Sequence, residues 1–360
     1  MKKKIGIVTG GGDCPGLNAV IRAAAKAAAK RGWGCLGILG GYEGLLKPRR
    51  TITLDYLALS GLLTRGGTIL GTANRGKFSA KVGHGEGRAL PRKLLQGVKE
   101  GMDALGLSAL VSIGGDGSLS IGQQLHEYGV PLVGVPKTID NDLQGTMFTF
   151  GFDSAVACAT DALDRLHTTA ESHNRVMVLE LMGRYAGWIA LFAGVAGGAD
   201  VILIPEIPFS YESICAKVRE REKLGKKFTL IAVAEGARQK HGSFITAKGK
   251  TKVGEARLGG IGAVVAAEVE KRTGKETRSC VLGHLQRGGS PTTFDRALCS
   301  MFGATAVELI AAGQVGKMVA FTGQGIGAVD ISEAVGRLKT VPPEGNLART
   351  ARALGISLGE

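Results

Sequence analysis

The sequence lacks closely spaced cysteine pairs, metal-like cysteine–histidine spacings and long uninterrupted apolar runs. Its six cysteines include no CxxC pair, which argues against a metal site and fits free thiols in a reducing cytoplasm. The most apolar stretch, residues 186–204, is broken by glycines and Asp200, so it is not expected to span a membrane. The basic residues 1–4 lead into glycines and Asp13, so no signal peptide is expected. We expect a cytoplasmic protein with no membrane partner.

Aromatic residues are also scarce, at 5% of the sequence. The formal net charge of +14 suggests nucleic-acid binding, but so few aromatic side chains cannot provide base-stacking platforms. The basic residues are scattered, and the dense groups at residues 2–4 and 219–227 contain no interleaved aromatics. We therefore expect no nucleic-acid partner, because a basic balance also suits small anionic substrates such as phosphates.

Glycine is abundant, with 57 residues in clusters that follow no collagen-like period. The clusters separate apolar runs of strand length from amphipathic runs of helix length. This alternation predicts an α/β fold, doubly wound, with mostly parallel sheets covered by helices on both faces. Strands are predicted at residues 5–9, 109–113, 132–135, 176–181, 201–204, 229–234, 278–282 and 318–321. Helices are predicted at residues 17–31, 154–170, 185–195, 214–224, 261–272 and 297–312, and long surface loops at 66–87 and 238–262.

The first candidate site is the turn Thr-Gly-Gly-Gly-Asp-Cys-Pro-Gly at residues 9–16, between a predicted strand and a predicted helix. Glycines let backbone N–H groups approach a phosphate closely, and the helix N-terminus adds a favourable dipole. The pattern is neither GxGxxG nor a Walker A motif, so it indicates neither a dinucleotide site nor a P-loop. The alternative is a tight turn without a ligand.

The second candidate site, Gly-Gly-Asp-Gly-Ser at residues 114–118, follows the predicted strand at 109–113. Open α/β sheets bind ligands at the carboxyl ends of their strands. Asp116 in that position is suited to holding Mg²⁺ against phosphate oxygens, although it also suits capping the next helix. The motif alone occurs in lipid and NAD kinases as well.

The third candidate site, Pro-Lys-Thr-Ile-Asp-Asn-Asp at residues 136–142, follows another predicted strand. Asp140 and Asp142 are two residues apart, so in an extended segment they point to the same side. Beside Lys137, one carboxylate is able to accept a substrate proton while the other is positioned for polar contacts. The alternative is a turn rich in Asp and Asn.

Four arginines lie near predicted strand ends: Arg175, Arg184, Arg278 and Arg287. A guanidinium group in such a place suits bidentate recognition of phosphate. Arg184 belongs to the Met-Gly-Arg-Tyr block at residues 182–185, and Arg287 to Gly-His-Leu-Gln-Arg-Gly-Gly at 283–289. His284, in the latter block, is more often a polar loop residue than a ligand.

These five blocks, in this order, resemble the phosphofructokinase family over residues 5–321. The resemblance implies two Rossmann-like domains: a donor domain (residues 1–151 plus about 286–335) and a sugar-phosphate domain (152–285 plus about 336–360). It implies transfer of a phosphoryl group to the 1-hydroxyl of fructose 6-phosphate in glycolysis, with Mg²⁺ as cofactor. It also implies a homo-oligomer, a dimer or tetramer, whose active sites are shared between subunits.

Matching the family position by position implies a role for each site residue. Asp116 corresponds to the magnesium ligand, Asp140 to the base that deprotonates the 1-hydroxyl, and Arg184 to the arginine that steadies the transferring phosphoryl group. Arg175 and Arg278 correspond to arginines that a neighbouring subunit supplies. The implied donor-binding residues are Gly11, Gly12, Arg75, Gly115, Asp116, Gly117 and Ser118. The implied acceptor-binding residues are Thr138, Asp140, Asp142, Arg175, Met182, Gly183, Arg184, Glu235, Arg278, His284 and Arg287, and the catalytic group is Lys137, Thr138, Asp140 and Arg184.

The donor is either ATP or pyrophosphate. Gly117, after the magnesium aspartate, leaves room for a nucleotide in this family, whereas an aspartate there accompanies pyrophosphate. Lys137 is typical of pyrophosphate users, and Ile121 stands where the common ATP enzymes have a small glycine. Since some members combine this glycine and lysine and still use ATP, Gly117 carries more weight and ATP is favoured.

Two departures from the family pattern limit what it implies. The arginine with which the family contacts the nucleotide aligns with Asn74 here, unless Arg75 takes over that contact. In the family's regulatory site, where two arginines are usual, this sequence has Arg22 and Lys26. Allosteric control is therefore not predicted. A lipid or NAD kinase shares only the second site, and a non-catalytic sugar-phosphate or nucleotide sensor is the alternative from another class.

Overall fold

The computed structural model describes residues 3–56, 59–72, 76–78, 89–240, 242, 246–250 and 256–360. The chain forms two compact units, Met1–Ser154 with Arg287–Leu338, and Ala155–Gln286 with Lys339–Glu360. The strands are β1 (Lys4–Thr9), β2 (Gly34–Ile38), β3 (Thr51–Thr53), β4 (Ala109–Gly114), β5 (Leu132–Pro136), β6 (Val176–Leu181), β7 (Val201–Leu203), β8 (Thr229–Ala234), β9 (Thr246–Lys250), β10 (Ala256–Leu258), β11 (Thr277–Val281), β12 (Lys317–Phe321) and β13 (Ile326–Asp330). The α-helices are α1 (Leu17–Lys30), α2 (Arg92–Leu105), α3 (Asp116–Glu127), α4 (Phe152–His173), α5 (Trp188–Ala196), α6 (Tyr211–Lys223), α7 (Ile261–Thr273), α8 (Thr293–Ala311), α9 (Ile331–Ala334) and α10 (Asn346–Ala353).

A seven-stranded sheet forms the centre of the first unit, in the order β13-β12-β5-β4-β1-β2-β3. Its five inner strands run parallel, whereas the edge strands β3 and β13 are antiparallel to their neighbours. β4 and β5 are buried along their whole length, as expected for strands covered on both faces. Because the strand order reverses between β1 and β4, the carboxyl ends of these two strands are the expected ligand crevice.

Helix α1 shows how the sequence covers this sheet. Its buried residues recur with helical spacing, and Gly32, with a φ of 74°, follows the helix end. α1 packs against α8, where a Cβ on Gly303 would lie 2.7 Å from the carbonyl oxygen of Val20. The missing side chain of Gly303 therefore allows the two helices to approach closely.

The second unit contains a four-stranded parallel sheet in the order β11-β6-β8-β7. Val178 on β6 and Val233 on β8 are fully buried and join a core with Val265 of α7. β6 and β8 are parallel and keep one register over six residue pairs, so their carboxyl ends lie at the same edge of the sheet.

The predicted α/β fold with mostly parallel sheets is confirmed. The strands predicted at residues 176–181 and 229–234 coincide with β6 and β8. One expectation was wrong: residues 238–262 do not form only a loop, because β9 and β10 within them pair as an antiparallel sheet. Of the loop predicted at 66–87, residues 73–75 and 79–87 lie outside the described residues.

Among the described residues, no helix combines the length and the apolar character that crossing a membrane requires.

Candidate active site

The glycine-rich turn that follows β1 is held against the end of β4. The N–H of Gly10 donates to the carbonyl oxygen of Ile113 (2.9 Å), and a Cβ on Gly10 would lie 2.5 Å from the Ser118 hydroxyl oxygen. Gly11 has a φ of 76°, a conformation that glycine adopts without strain. The Thr72 hydroxyl donates to the Gly11 carbonyl oxygen. The turn therefore presents bare backbone at the carboxyl edge of the sheet.

Asp116 begins α3, directly after β4. Its side chain is buried, and its Oδ1 accepts a hydrogen bond from the N–H of Gly336 (3.0 Å). A carboxylate in the first turn of a helix is favoured by the helix dipole. The structure thus places Asp116 at the same edge of the sheet as the glycine turn.

Lys137 lies directly after β5, and its N–H donates to the carbonyl oxygen of Gly114 (3.0 Å). Its ammonium group reaches back to the first turn and donates to the carbonyl oxygen of Gly12. Burial lowers the pKa of Lys137, and the positive charge of Arg287 lowers it further, although Asp142 opposes the shift. Lys137 therefore joins the segment after β5 to the turn after β1.

Asp140 and Asp142 lie close enough to repel each other. Burial raises the pKa of Asp142 to about 7, and the charge of Asp140 adds to the shift. Thr138 organises the segment, because its hydroxyl oxygen accepts from the N–H of Asp140 (3.1 Å) and its side chain also hydrogen-bonds Asp142. Asp116 raises the pKa of Asp142 by a smaller amount. The segment is not extended as predicted, because Ile139 and Asp140 form a turn and Asn141 has a φ of 50°, but Asp140 and Asp142 still lie within electrostatic reach of each other and of Lys137.

The side chain of Arg287 packs against the same glycine turn. Its guanidinium group occupies the space where a side chain on Gly12 would lie. Its Nε is buried and has no hydrogen-bond partner among the residues that the structure describes. Lys137 and Arg287 thus place two positive charges beside the backbone of residues 10–12, where an anion would neutralise them.

In the second unit, two turns meet at the carboxyl ends of β6 and β8. The N–H of Gly236 donates to the carbonyl oxygen of Gly183 (3.1 Å), and a Cβ on Gly236 would collide with the backbone of Arg184. Glu235 is tied to the same place, since its N–H donates to the carbonyl oxygen of Leu181 (2.8 Å). The structure therefore brings Glu235 beside the Met182–Gly183–Arg184 turn.

The block after β11 joins this group through Gln286. This residue is fully buried; its Oε1 accepts from the N–H of Met182 (3.4 Å) and its Nε2 donates to the carbonyl oxygen of Gly283 (3.0 Å). His284, in the same short helical segment Gly283–Arg287, is exposed. Sequence reasoning did not single out Gln286, whose role is visible only from its hydrogen bonds.

Arg175 and Arg278 share one carboxylate. Glu276 forms an ion pair with Arg175 through one oxygen (2.8 Å to Nε) and accepts a hydrogen bond from Arg278 Nη2 (2.6 Å) through the other. The two arginines lie at the β6–β11 edge of the four-stranded sheet, where β11 is largely exposed.

Asn18 is a further organising residue that sequence reasoning missed. It is fully buried, its side-chain amide donates to the carbonyl oxygens of Arg65 and Gly66 (both 3.1 Å), and its Oδ1 accepts from the N–H of Ile69 (2.8 Å). It therefore fixes the segment that carries Thr72. No local sequence signal distinguishes this asparagine from a helix surface residue.

Ile121 closes a small cavity next to the glycine turn. This cavity measures about 20 Å³ and is also lined by Gly10, Tyr42, Phe78 and Ser118. Arg75 and Asn74, the two candidates for a nucleotide contact, lie outside the described residues.

The first unit therefore combines a glycine turn, buried carboxylates and two neighbouring cationic side chains at one edge of its sheet. This set of groups is typical of phosphotransferases. The family model "Phosphofructokinase" matches residues 4–310. The chain belongs to the phosphofructokinase family, as the five sequence blocks predicted.

Similar proteins carry two kinds of name. The chain is 53% identical over 359 residues to an ATP-dependent 6-phosphofructokinase of Chloroflexus aurantiacus, covering 100% of the chain and 98% of the relative. It is 49% identical over 343 residues to a pyrophosphate–fructose 6-phosphate 1-phosphotransferase of Streptomyces coelicolor, covering 94% and 96%. Among solved structures, Pichia pastoris phosphofructokinase in the T-state is 31% identical with a TM-score of 0.81, covering 93% of the chain and 35% of the Pichia chain.

Proposed function

We propose that this protein is an ATP-dependent 6-phosphofructokinase that phosphorylates the 1-hydroxyl of fructose 6-phosphate in the cytoplasm, giving fructose 1,6-bisphosphate and ADP. The observation that carries the proposal is the hydrogen bond from Lys137 to Gly12, which ties the carboxylate segment to the glycine turn. A base and a phosphate cradle fixed against each other are what an in-line transfer needs. The names of the bacterial relatives support the same reaction.

The donor phosphates are assigned to the first unit. The backbone of Gly11 and Gly12, together with the segment Gly115–Gly117 and the Ser118 hydroxyl, would cradle them, with Arg75 as a further contact. Lys137 supplies positive charge next to this cradle. Because there is little covalent chemistry in phosphoryl transfer, alignment and neutralised charge account for most of the catalysis.

Mg²⁺ fits the residues present. The described residues contain no cluster of three or more His, Cys, Asp or Glu side chains that would cage a metal, whereas Asp116 offers one buried carboxylate at the sheet edge. Mg²⁺ is commonly held by one or two carboxylates plus substrate phosphates, so Asp116 would hold it together with the donor. When bound, the ion would neutralise charge on the phosphate oxygens.

The acceptor roles follow the family pattern. Asp140 would take the proton of the 1-hydroxyl, with Thr138 and Asp142 holding the sugar beside it. In the second unit, Arg184 would steady the transferring phosphoryl group. The remaining sugar-phosphate contacts are assigned to Met182, Gly183, Glu235, His284 and Arg287.

Arg175 and Arg278 are proposed to act across a subunit boundary in a homo-oligomer. Both lie at an exposed sheet edge and are held in place by Glu276. A fixed pair of guanidinium groups is suited to a phosphate that belongs to a neighbouring active site.

Pyrophosphate is the second candidate donor, and one observation favours it. Ile121 is buried beside Gly10 and Ser118 of the proposed phosphate cradle, where its bulk would crowd a nucleoside. Against it stands Gly117, which leaves room for a nucleotide, and the 53% identity to a relative named for ATP.

The test is to follow fructose 1,6-bisphosphate by ³¹P NMR from fructose 6-phosphate and Mg²⁺, with ATP or pyrophosphate supplied separately. Product with ATP and little with pyrophosphate is expected. Product mainly with pyrophosphate would replace the first proposal by the second. No phosphorylation with either donor, in protein shown to be folded, would refute both.

A further inference from the structure

The segment at residues 336–338 follows α9 and reaches the candidate magnesium ligand. The N–H of Gly336 donates to Oδ1 of Asp116 (3.0 Å). Gly336 has a φ of 85°, in the left-handed region, and a Cβ at this position would meet no atom within 4 Å. Glycine is therefore favoured here by the backbone turn that points the N–H at the carboxylate, and not by a lack of space.

The same segment also holds the chain next to the proposed base. Leu338 pairs with Leu143 in an isolated antiparallel bridge, and Leu143 directly follows Asp142. Gln144 adds a side-chain bond, since its Nε2 donates to the carbonyl oxygen of Leu338 (3.2 Å). Residues 336–338 therefore contact both the start of α3 and the carboxylate segment after β5, and we call them the brace.

The hydrophobic core of the first unit anchors the brace. Ile331 and Ala334 of α9, directly before it, are fully buried in the same core as Leu143 and Leu119 of α3. Close packing of these side chains leaves the flanking backbone little room to shift. Since Gly336 has no side chain, its backbone can influence the site through the bond to Asp116.

The bond from Gly336 bears on metal binding. Mg²⁺ demands near-ideal octahedral geometry, so a carboxylate that holds it must be fixed in direction. A hydrogen bond to Oδ1 restrains rotation of the Asp116 carboxylate. Asp116 and Gly336 both line a cavity of about 640 Å³ in the first unit, so the bonded carboxylate borders open space. Removing a hydrogen bond to a metal ligand typically costs roughly 10–100-fold in metal affinity.

We propose that the brace positions the two reacting groups of the first unit relative to each other. Gly336 orients Asp116 for Mg²⁺, and Leu338, together with Gln144, holds the segment of Asp140 and Asp142 at a fixed distance from it. The inference rests on the proposed phosphoryl transfer and adds positioning residues to it, because Gly336 and Gln144 act through other residues.

The first experiment replaces Gly336 by glycolic acid, introduced by semisynthesis, which exchanges the N–H for an ester oxygen and adds no side chain. Electron paramagnetic resonance follows the binding of Mn²⁺, a substitute for Mg²⁺, with saturating AMP-PNP or imidodiphosphate, whichever the wild type binds more tightly. We expect Mn²⁺ to bind roughly 10–100-fold more weakly than to wild type. Wild-type Mn²⁺ affinity in the folded ester variant would overturn the role of Gly336.

Two controls separate this result from other causes. The same ester at Gly355, whose φ is 76° and whose N–H donates to the carbonyl oxygen of Arg352 (2.9 Å), should leave Mn²⁺ affinity unchanged. An equal loss in both ester variants would overturn the proposal. Asp116→Asn tests the ligand itself: if it binds Mn²⁺ as tightly as wild type, the metal assignment and the brace both fail. If it binds weakly while the Gly336 ester binds normally, the brace alone fails.

The second experiment tests the other end of the brace with Gln144→Leu, which removes the side-chain bond to Leu338. We expect kcat to fall roughly tenfold, since a small displacement of a reacting group is costly, while the Kd of fructose 6-phosphate stays constant. The matched control Gln96→Leu removes an amide that donates to Glu100 on α2 and should keep the wild-type kcat. Wild-type kcat in Gln144→Leu, or an equal loss in Gln96→Leu, would overturn the role of Gln144. Phosphorylation by the wild type, measured on the same preparations, tests the proposed reaction itself.

Discussion

Lys137 donates a hydrogen bond from its ammonium group to the carbonyl oxygen of Gly12, across 125 residues of sequence. The bond joins the ends of β5 and β1, two strands that are not neighbours in the sheet. A buried lysine is costly unless it is paired, and here Asp142 and Asp140 favour its charged form. One side chain thus holds the glycine turn against the segment after β5 and places its ammonium group near both carboxylates.

Replacing Lys137 by methionine should leave the fold intact but impair catalysis. The fold should persist because methionine fills a similar volume at a site where burial already disfavours the charge of Lys137. Catalysis should suffer because the glycine turn and the donor phosphates lose a fixed cation. We expect kcat to fall by roughly 10²–10³-fold, the usual effect of removing one preorganised electrostatic group. Steady-state kinetics of Lys137→Met, beside the exposed control Lys99→Met, measure this; wild-type kcat in Lys137→Met would contradict it.

The rate should depend on pH through the carboxylate pair. The pKa of Asp142 is raised to about 7 by burial and then by Asp140, so the pair carries an extra proton below that pH and loses it above. Since a base must be ionised to act, kcat/KM should rise with pH through an inflection near 7. In Asp142→Asn the repulsion is gone, and the inflection should move to lower pH. An inflection that stays in place would show that another group controls it.

Asp295 should make stability depend on pH. It is fully buried, accepts hydrogen bonds from Gly151 N–H (3.0 Å) and Ser154 N–H (2.9 Å), and burial raises its pKa from 3.8 to about 6. The folded state therefore holds a proton between these two values that the unfolded state releases, so stability falls as pH rises through that window.

The comparison that isolates this effect is the free energy of unfolding of wild type minus that of Asp295→Asn, from urea melts at several pH values. The difference should decrease as pH rises from 3.8 to about 6 and then level off. A difference that is constant across this range would contradict the assignment.

Ile121 should limit access of ATP but not of pyrophosphate. Ile121→Ala enlarges the cavity of about 20 Å³ beside the glycine turn, so KM for ATP should fall while KM for pyrophosphate stays constant. The variant should lose about 2–4 kcal/mol of stability because a buried side chain is truncated. Leu125→Ala, a buried position on the same helix that does not line this cavity, is the matched control. Equal KM values for ATP in the two variants would rule out a role for Ile121.

Much of the fold was predictable because its central strands are short apolar runs that end in glycine or polar residues. β6 and β8 were placed residue for residue in this way. The sequence did not reveal β2, where glycines at positions 34 and 37 weaken the strand pattern, or α2, which starts after a proline within a polar segment. β9 was missed because Lys and Gly dominate it, and only its partner strand makes it regular.

The site was predictable to the level of motifs. Each candidate block follows a strand, so the fold brings those of one sheet to a common edge. The approach of Arg287 to Gly12 and the raised pKa of Asp142 were not predictable, since both depend on contacts and burial that form only in the folded chain. The roles assigned to these residues remain predictions.

The most direct test of the account is Asp140→Asn, measured for both binding and turnover. The amide keeps the size of the side chain but cannot accept the proton of the 1-hydroxyl. We predict that fructose 6-phosphate binds to the variant with a Kd close to that of wild type in calorimetry, while kcat with ATP falls by ~10²–10⁴-fold. A variant that binds the sugar and turns over at the wild-type rate would contradict the account.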